Sequence, residues 1–214
     1  MKTITKMVGV ALVALTFGTP AMADQTFTVT ADTTIDGNAG KMMFIEEPGH
    51  GNQTVFVFDE GGLLRVYAIR DGGSDIWNVQ PGTQYVVPTT SITAGMTWRF
   101  IDDDGVVETR AEAIQQETVT TGAGTFPMAW RIDISRVSSP SQISETHWIV
   151  EDVGMIKSVT YFGQWITWES TVESYSVTGT GFFPLDVGNV WQWVDATVPA
   201  AETSMGSIKS RYGN

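Results

Sequence analysis

The chain has 214 residues, 24 of them acidic against 12 basic, and a formal net charge of −12. A surface of that sign repels phosphate backbones and anionic lipid headgroups, so nucleic acid is excluded as a natural partner. There is no cysteine, which rules out disulfides, thiolate metal sites and a lipid anchor on a signal-peptide cysteine.

Lys2 and Lys6 give a short basic start, and no acid precedes Asp24. Residues 7–17 read MVGVALVALTF, apolar apart from one Thr, and Gly18, Pro20 and Ala21-Met22-Ala23 follow. That is the order of a secretory signal, and cleavage is expected after Ala23. As a helix the apolar run would be only about 16 Å long, well short of a bilayer core of roughly 30 Å. No other stretch is long and apolar enough to span. The sequence therefore predicts export to the periplasm or beyond, with no membrane span.

The mature part reads as one domain over 24–195 and a small, polar, patternless tail over 196–214. Strand follows strand, at 26–30, 41–46, 54–58, 63–69, 84–87 and 97–101, and then at 126–134, 147–151, 155–161, 164–177 and 190–194. These runs are rich in Val, Ile, Thr, Tyr, Phe and Trp. Turn chemistry separates many of them: Asp59-Glu60-Gly61-Gly62, Asp71-Gly72-Gly73, Pro81-Gly82, Asp104-Gly105 and Gly122-Ala123-Gly124. Residues 107–116 (VETRAEAIQQ) fit a helix by composition, but their neighbours favour a strand. An all-β, antiparallel fold with few or no helices follows.

Gly95-Met96-Thr97-Trp98-Arg99-Phe100 and Gly188-Asn189-Val190-Trp191-Gln192-Trp193 share a Gly-x-x-Trp-x-aromatic pattern. Residues two apart in a strand share a face, so Trp98 pairs with Phe100 and Trp191 with Trp193. Trp165 and Trp168, three apart, point to opposite faces of a regular strand, so at least one is expected outside the core.

Catalytic chemistry finds little to work with. There is no Gly-x-Ser-x-Gly elbow, and the two histidines are His50, in a glycine-rich turn, and His147, in a strand beside Trp148. Both read as structural. Asp102-Asp103-Asp104-Gly105 concentrates carboxylates at a turn but lacks the spaced ligands of a calcium loop. Glu46-Glu47 and the Glu169, Glu173 pair are indistinguishable from surface charge. No catalytic residue, metal ligand or cofactor is assigned.

Phe182-Phe183-Pro184-Leu185-Asp186-Val187-Gly188-Asn189-Val190-Trp191 resembles the FPL-x-VGN-x-W stretch of a family of exported bacterial β-sheet proteins. Gly122-Ala123-Gly124-Thr125-Phe126, Trp148 and Val153-Gly154-Met155-Ile156-Lys157 resemble that family's AGTF turn and its W…VG-(L/M)-(V/I)-K strand. The resemblance spans about residues 80–195. It implies a single, strongly curved antiparallel sheet, a half-barrel or open barrel similar in outline to periplasmic lipoprotein carriers. It carries no functional residue across.

The eight tryptophans lie in the mature part. The functional expectation is a non-catalytic envelope protein. It would bind an apolar ligand or an envelope protein on a concave, aromatic-lined sheet through Trp98, Phe100, Trp165, Trp168, Trp191 and Trp193. A carbohydrate-binding module with exposed Trp rings is the alternative, and a carboxylate-dependent hydrolase a more distant one.

Overall fold

The computed structural model describes residues 25–47, 51–72, 74, 76–101, 108–163 and 165–195, apart from the side chains of 79–86, 100 and 101. The export signal expected over 1–23, the expected tail 196–214, His50 and the acidic stretch 102–105 lie outside the described residues.

Twelve strands follow one another: β1 (Gln25–Ile35), β2 (Asn38–Glu46), β3 (Gln53–Glu60), β4 (Leu63–Asp71), β5 (Asn78–Pro88), β6 (Thr97–Ile101), β7 (Glu108–Thr121), β8 (Gly124–Arg136), β9 (Ser139–Val150), β10 (Gly154–Phe162), β11 (Trp165–Ser176) and β12 (Val190–Asp195). The ambiguous 107–116 segment is strand, within β7. No helix occurs among the described residues, and so none long and apolar enough to cross a membrane. The strands form one sheet in the order β5-β4-β3-β2-β1-β12-β11-β10-β9-β8-β7-β6, with every neighbouring pair antiparallel. This is a meander whose first and last strands pair with each other, Gln25 opposite Trp193. The edges are β5 and β6, consecutive in sequence. They approach one another with no ladder between them, so the sheet is curled but not closed.

Alternation sets which side is inside. Val55 and Val57 of β3, Leu64 and Val66 of β4, Ile132 and Ile134 of β8 and Val172 of β11 all enter one core, together with Phe27, Val29, Trp98, Ile149, Met155, Trp191 and Trp193. This core fills the concave side. The opposite phase of β3 carries Phe56 and Phe58, which pack outside against Ala68, Ile35, Tyr67 and Trp77. A third small group, Val119, Phe126, Ala129 and Ile156, covers the outside of β7, β8 and β10.

The sequence signal at Pro81-Gly82 is not a turn between strands. It falls inside β5, between the pairs Val79–Ala68 and Gln84–Val66, where the ladder shifts register. A proline without an N–H fits where strand pairing is interrupted.

One end of the curled sheet is closed. There the connection between β11 and β12 folds inward, with Phe182 buried and Phe183 and Leu185 packed on the core. Asn189, itself buried, ties this segment together: its Nδ2 donates to the carbonyls of Thr178 and Pro184, and its Oδ1 accepts from the Thr178 amide. Gly188 turns the chain into β12 with φ 97°, a backbone angle that suits glycine, and its amide bonds the Val29 carbonyl. The family-like stretch is thus the plug of one end. Gly95 enters β6 in the same way with φ 80°, so the Gly-x-x-Trp pattern marks two equivalent entries into strands, each with its Trp in second place.

Candidate functional site on the concave face

Toward the other end the concave face changes character. Cross-strand partners point to the same side of a sheet, so registers can be followed from strand to strand. One row runs Trp98, Ala111, Ile134, Glu145, Thr160, Trp168 across β6 to β11. The next runs Ala113, Ile132, His147, Ser158, Ser170, Asp195 across β7 to β12. Trp98, Ile132 and Ile134 belong to the main core, so both rows face inward. A bed of polar side chains results: Glu145, His147, Ser158, Thr160, Ser170 and Asp195, with Trp168 beside Thr160 and with Trp98 beyond Ala111 and Ile134 in the same row.

Their bonding is incomplete. His147 is 2 % exposed and its Nε2 lies 3.1 Å from Glu145 Oε2. An ionised carboxylate can only accept, so the imidazole donates through Nε2, and in its neutral form Nδ1 is left as an acceptor. The Trp168 indole donates to Ser170 Oγ at 2.7 Å, and Ser170 donates to Asp195 Oδ1 at 2.6 Å. Three other polar atoms on this face are buried without a hydrogen-bond partner in the protein: Trp98 Nε1, Ser158 Oγ and Thr160 Oγ1. Ser158 and Trp98 are each 5 % exposed. Leaving such a group unbonded costs roughly 1–3 kcal/mol; Ser158 and Thr160 are two apart on β10, and Trp98 is on β6 of the same face. Among the described residues no three His, Asp or Glu side chains gather closely enough to hold a metal.

The two rows contain no Lys or Arg. Arg131 and Lys157 sit on the outer phase of their strands, while Arg136 follows Ile134 in the inward phase, opposite Thr109. Arg131 holds Asp133 through two bonds of 2.9 and 3.0 Å, and that contact raises the guanidinium pKa above its usual value. Lys157 pairs with Glu169 at 2.8 Å and lies over the Trp148 ring.

The six aromatic residues named from the sequence do not form one surface. Trp191 and Trp193 are core: Trp191 stacks on Phe183 at 5.5 Å and donates to the Val153 carbonyl at 2.7 Å, and Trp193 meets Phe27 edge-on. With Phe27, Met155 and Phe183 they leave a gap of about 10 Å³, at or below what one water needs. Trp98 and Trp168 are the two brought to the polar bed. Trp165 stands 58 % exposed beside Phe162, 79 % exposed, at the tip of the β10–β11 hairpin. A register shift between Thr160 and Tyr161 lies between the two tryptophans of β11, so their opposition is not that of a regular strand. The Phe100 side chain lies outside the described residues.

Sequence reasoning missed the polar bed. Glu145, Ser158, Thr160, Ser170 and Asp195 come from four strands, and no spacing along the chain links them. The one available signal was polar residues in the inward phase of strands, as in Ser158-Val159-Thr160 and Trp168-Glu169-Ser170-Thr171-Val172. No protein-family model, curated protein or solved structure matches this chain.

Proposed function

We propose that this is an exported, non-catalytic binding protein that takes a small amphipathic ligand on the concave face, against the polar bed. The observation that carries the reading is that Trp98 Nε1 on β6 and Ser158 Oγ and Thr160 Oγ1 on β10 are buried without a partner on one inward face, where Thr160 stands beside Glu145 and Trp168. The aromatic groups at the plugged end are already packed against each other, which narrows an apolar ligand to one with a polar group and a modest apolar face. Binding is favoured over catalysis because Ser158 Oγ makes no bond to an imidazole whose Nε2 is held by Glu145. A nucleophilic hydroxyl needs that bond to be activated. Partial exposure of Glu145, Thr160, Trp168 and Ser170 supports access from solvent.

The test is NMR of the tryptophan indole N–H groups while sugars and small amphiphiles are added. Trp98 and Trp168 signals are expected to shift, with those of Trp191 and Trp193 unmoved. If no compound moves Trp98 or Trp168, the reading falls. A second reading, docking of an envelope protein, is favoured by the exposed Phe162, Trp165 and Ile166 at the β10–β11 tip. Under that reading Trp165→Ala abolishes capture of the partner and leaves ligand-induced shifts alone.

A further inference from the structure

We infer that a groove on the outer face of β2, β3 and β4 binds an α-amino acid with an apolar side chain, its carboxylate on Arg70 and its ammonium on Asp71. This is a second site, on the opposite face of the sheet from the polar bed, and it stands or fails independently of the binding function proposed above.

Phe44, Thr54 and Arg70 are direct partners across β2, β3 and β4, so their side chains stand in one row. The adjacent row, Met43, Val55 and Ile69, lies in the main core, and alternation therefore turns Phe44, Thr54 and Arg70 outward. Beyond Arg70 the chain bends: the Gly72 amide bonds the Asn52 carbonyl and the Ser74 amide bonds the Asp71 carbonyl. A groove of about 340 Å³ results, with Met42, Phe44 and Thr54 along it and Arg70, Asp71 and Ser74 at its β4 end.

The charges at that end are not used within the protein. Lys41, Arg65, Arg99, Arg110, Arg131 and Lys157 each pair with an acid, as expected in so acidic a chain. Arg70 makes no ion pair among the described residues. Its guanidinium instead lies 4.9 Å from the centre of the Trp77 ring, which itself packs edge-on against Phe56. Asp71, next in sequence, does not pair with Arg70 and accepts one bond of 3.4 Å from Gln53. One cation and one anion that border a groove without joining each other, beside apolar side chains, complement a ligand with both charges and an apolar body. An α-amino acid carries carboxylate and ammonium on one carbon, so both reach the β4 end while its side chain lies on Phe44 and Met42. Ser74 Oγ accepts from the Ile76 amide, which leaves its proton for the carboxylate. A simple anion meets Asp71 and a simple amine meets Arg70, and like charges so placed cost affinity.

The experiment titrates the full chain with phenylalanine, with hydrocinnamate, which lacks the ammonium, and with phenethylamine, which lacks the carboxylate. The readouts are the Trp77 indole N–H and the Phe44 and Thr54 amide signals in NMR. Phenylalanine is expected to move all three and to bind about fivefold more tightly than either relative, the scale of one half-exposed charge pair. Arg70→Gln should remove its advantage over phenethylamine, and Asp71→Asn its advantage over hydrocinnamate. Asp71 is exposed at a strand end, so its variant keeps the fold even if Arg70→Gln does not. Arg136→Gln, on β8, removes the other described basic residue without an ion pair and should leave both advantages intact. Hydrocinnamate or phenethylamine binding as tightly as phenylalanine overturns the inference, and so does unchanged selectivity in Asp71→Asn. Silence of the three signals toward all three compounds also overturns it. Shifts confined to Trp98 and Trp168 overturn it while supporting the concave site, so the two readings fail separately.

Discussion

His147 and Ser158 face each other across the β9–β10 ladder, one with its Nε2 bonded to Glu145 and the other with its hydroxyl unbonded at 5 % exposure. Two polar side chains so placed in an apolar core usually bond each other or a third group. Here the imidazole has turned to the carboxylate on its own strand.

Ser158→Ala is therefore expected to leave folding unharmed. Removing a buried hydroxyl that makes no bond relieves a desolvation penalty, so stability should hold or rise by up to about 1 kcal/mol. The urea midpoint measures it. A clear loss of stability would mean the hydroxyl is already satisfied, and would remove one reason for placing a ligand beside it.

Asn189→Ala should be among the most damaging changes in the chain. It deletes two donated bonds, to Thr178 and Pro184 carbonyls, and two accepted from Thr178, all around one buried side chain. The carbonyls left behind are shut in by Phe182 and the 177–189 segment. A loss of roughly 3 kcal/mol is expected. Asn189→Asp should fare no better, since a carboxylate cannot donate to either carbonyl. A thermal midpoint unchanged in both variants would show that the plug is not tied by this residue.

The tryptophans should separate in fluorescence quenching. Trp165 is exposed to a soluble quencher, whereas Trp98, Trp191 and Trp193 are shielded. Trp165→Ala should change stability by less than about 0.5 kcal/mol and remove most of the quenchable emission. Trp191→Phe, which loses the bond to Val153 and part of its stack on Phe183, should cost about 1–3 kcal/mol.

Tyr67 donates its hydroxyl to Asp36 Oδ2 at 2.8 Å, tying β4 to the β1–β2 turn. That hydrogen bond, helped by partial burial and the charge of Asp36, raises the phenol pKa. A raised folded value stabilises the protein below the ordinary phenol pKa of about 10, and the contribution is lost as pH climbs through the folded value. In ultraviolet titration one tyrosine should ionise later than an ordinary phenol, and Tyr67→Phe should lose that late step. The stability gap between wild type and variant should close as the solution becomes alkaline. A gap that persists unchanged through the alkaline range would argue against the Asp36 bond as its source.

Alternation along the chain was enough to read strands, their antiparallel pairing and even the 107–116 segment, because period-two burial is local. Curvature and filling are not local. Nothing in Trp191-Gln192-Trp193 states that residues 177–189 will fold over those rings, and so rings expected to line a groove are spent on core. Bulges between Val29 and Ala31, Met155 and Lys157, and Thr160 and Tyr161 depend on what the partner strand does. They decide which face Ser158 and Trp168 take. His147 read as structural because its partners were invisible: Glu145 lies two residues away on the same strand, but Ser158 reaches it only through the β9–β10 register.

Gly40 tests the close approach of β2 and β3 that lets the sheet curl. A Cβ there would fall on the Val57 carbonyl oxygen, 2.8 Å from Phe58 Cβ and 2.9 Å from Phe56 Cε2. The Phe56 ring could swing aside, but the Val57 carbonyl and Phe58 Cβ are fixed by the ladder with β4. Gly40→Ala must therefore push the strands apart where Phe56 and Phe58 are already packed against Tyr67 and Trp77. Overpacking of this kind costs about 1–3 kcal/mol, occasionally more, and the backbone clash places this site at the upper end. Gly61→Ala is the comparison: its φ of 67° is strained for alanine, but no atom lies within 4 Å of the added methyl. If Gly40→Ala costs no more than Gly61→Ala in urea unfolding, strand proximity does not explain the glycine at position 40, whose backbone is not in the left-handed region.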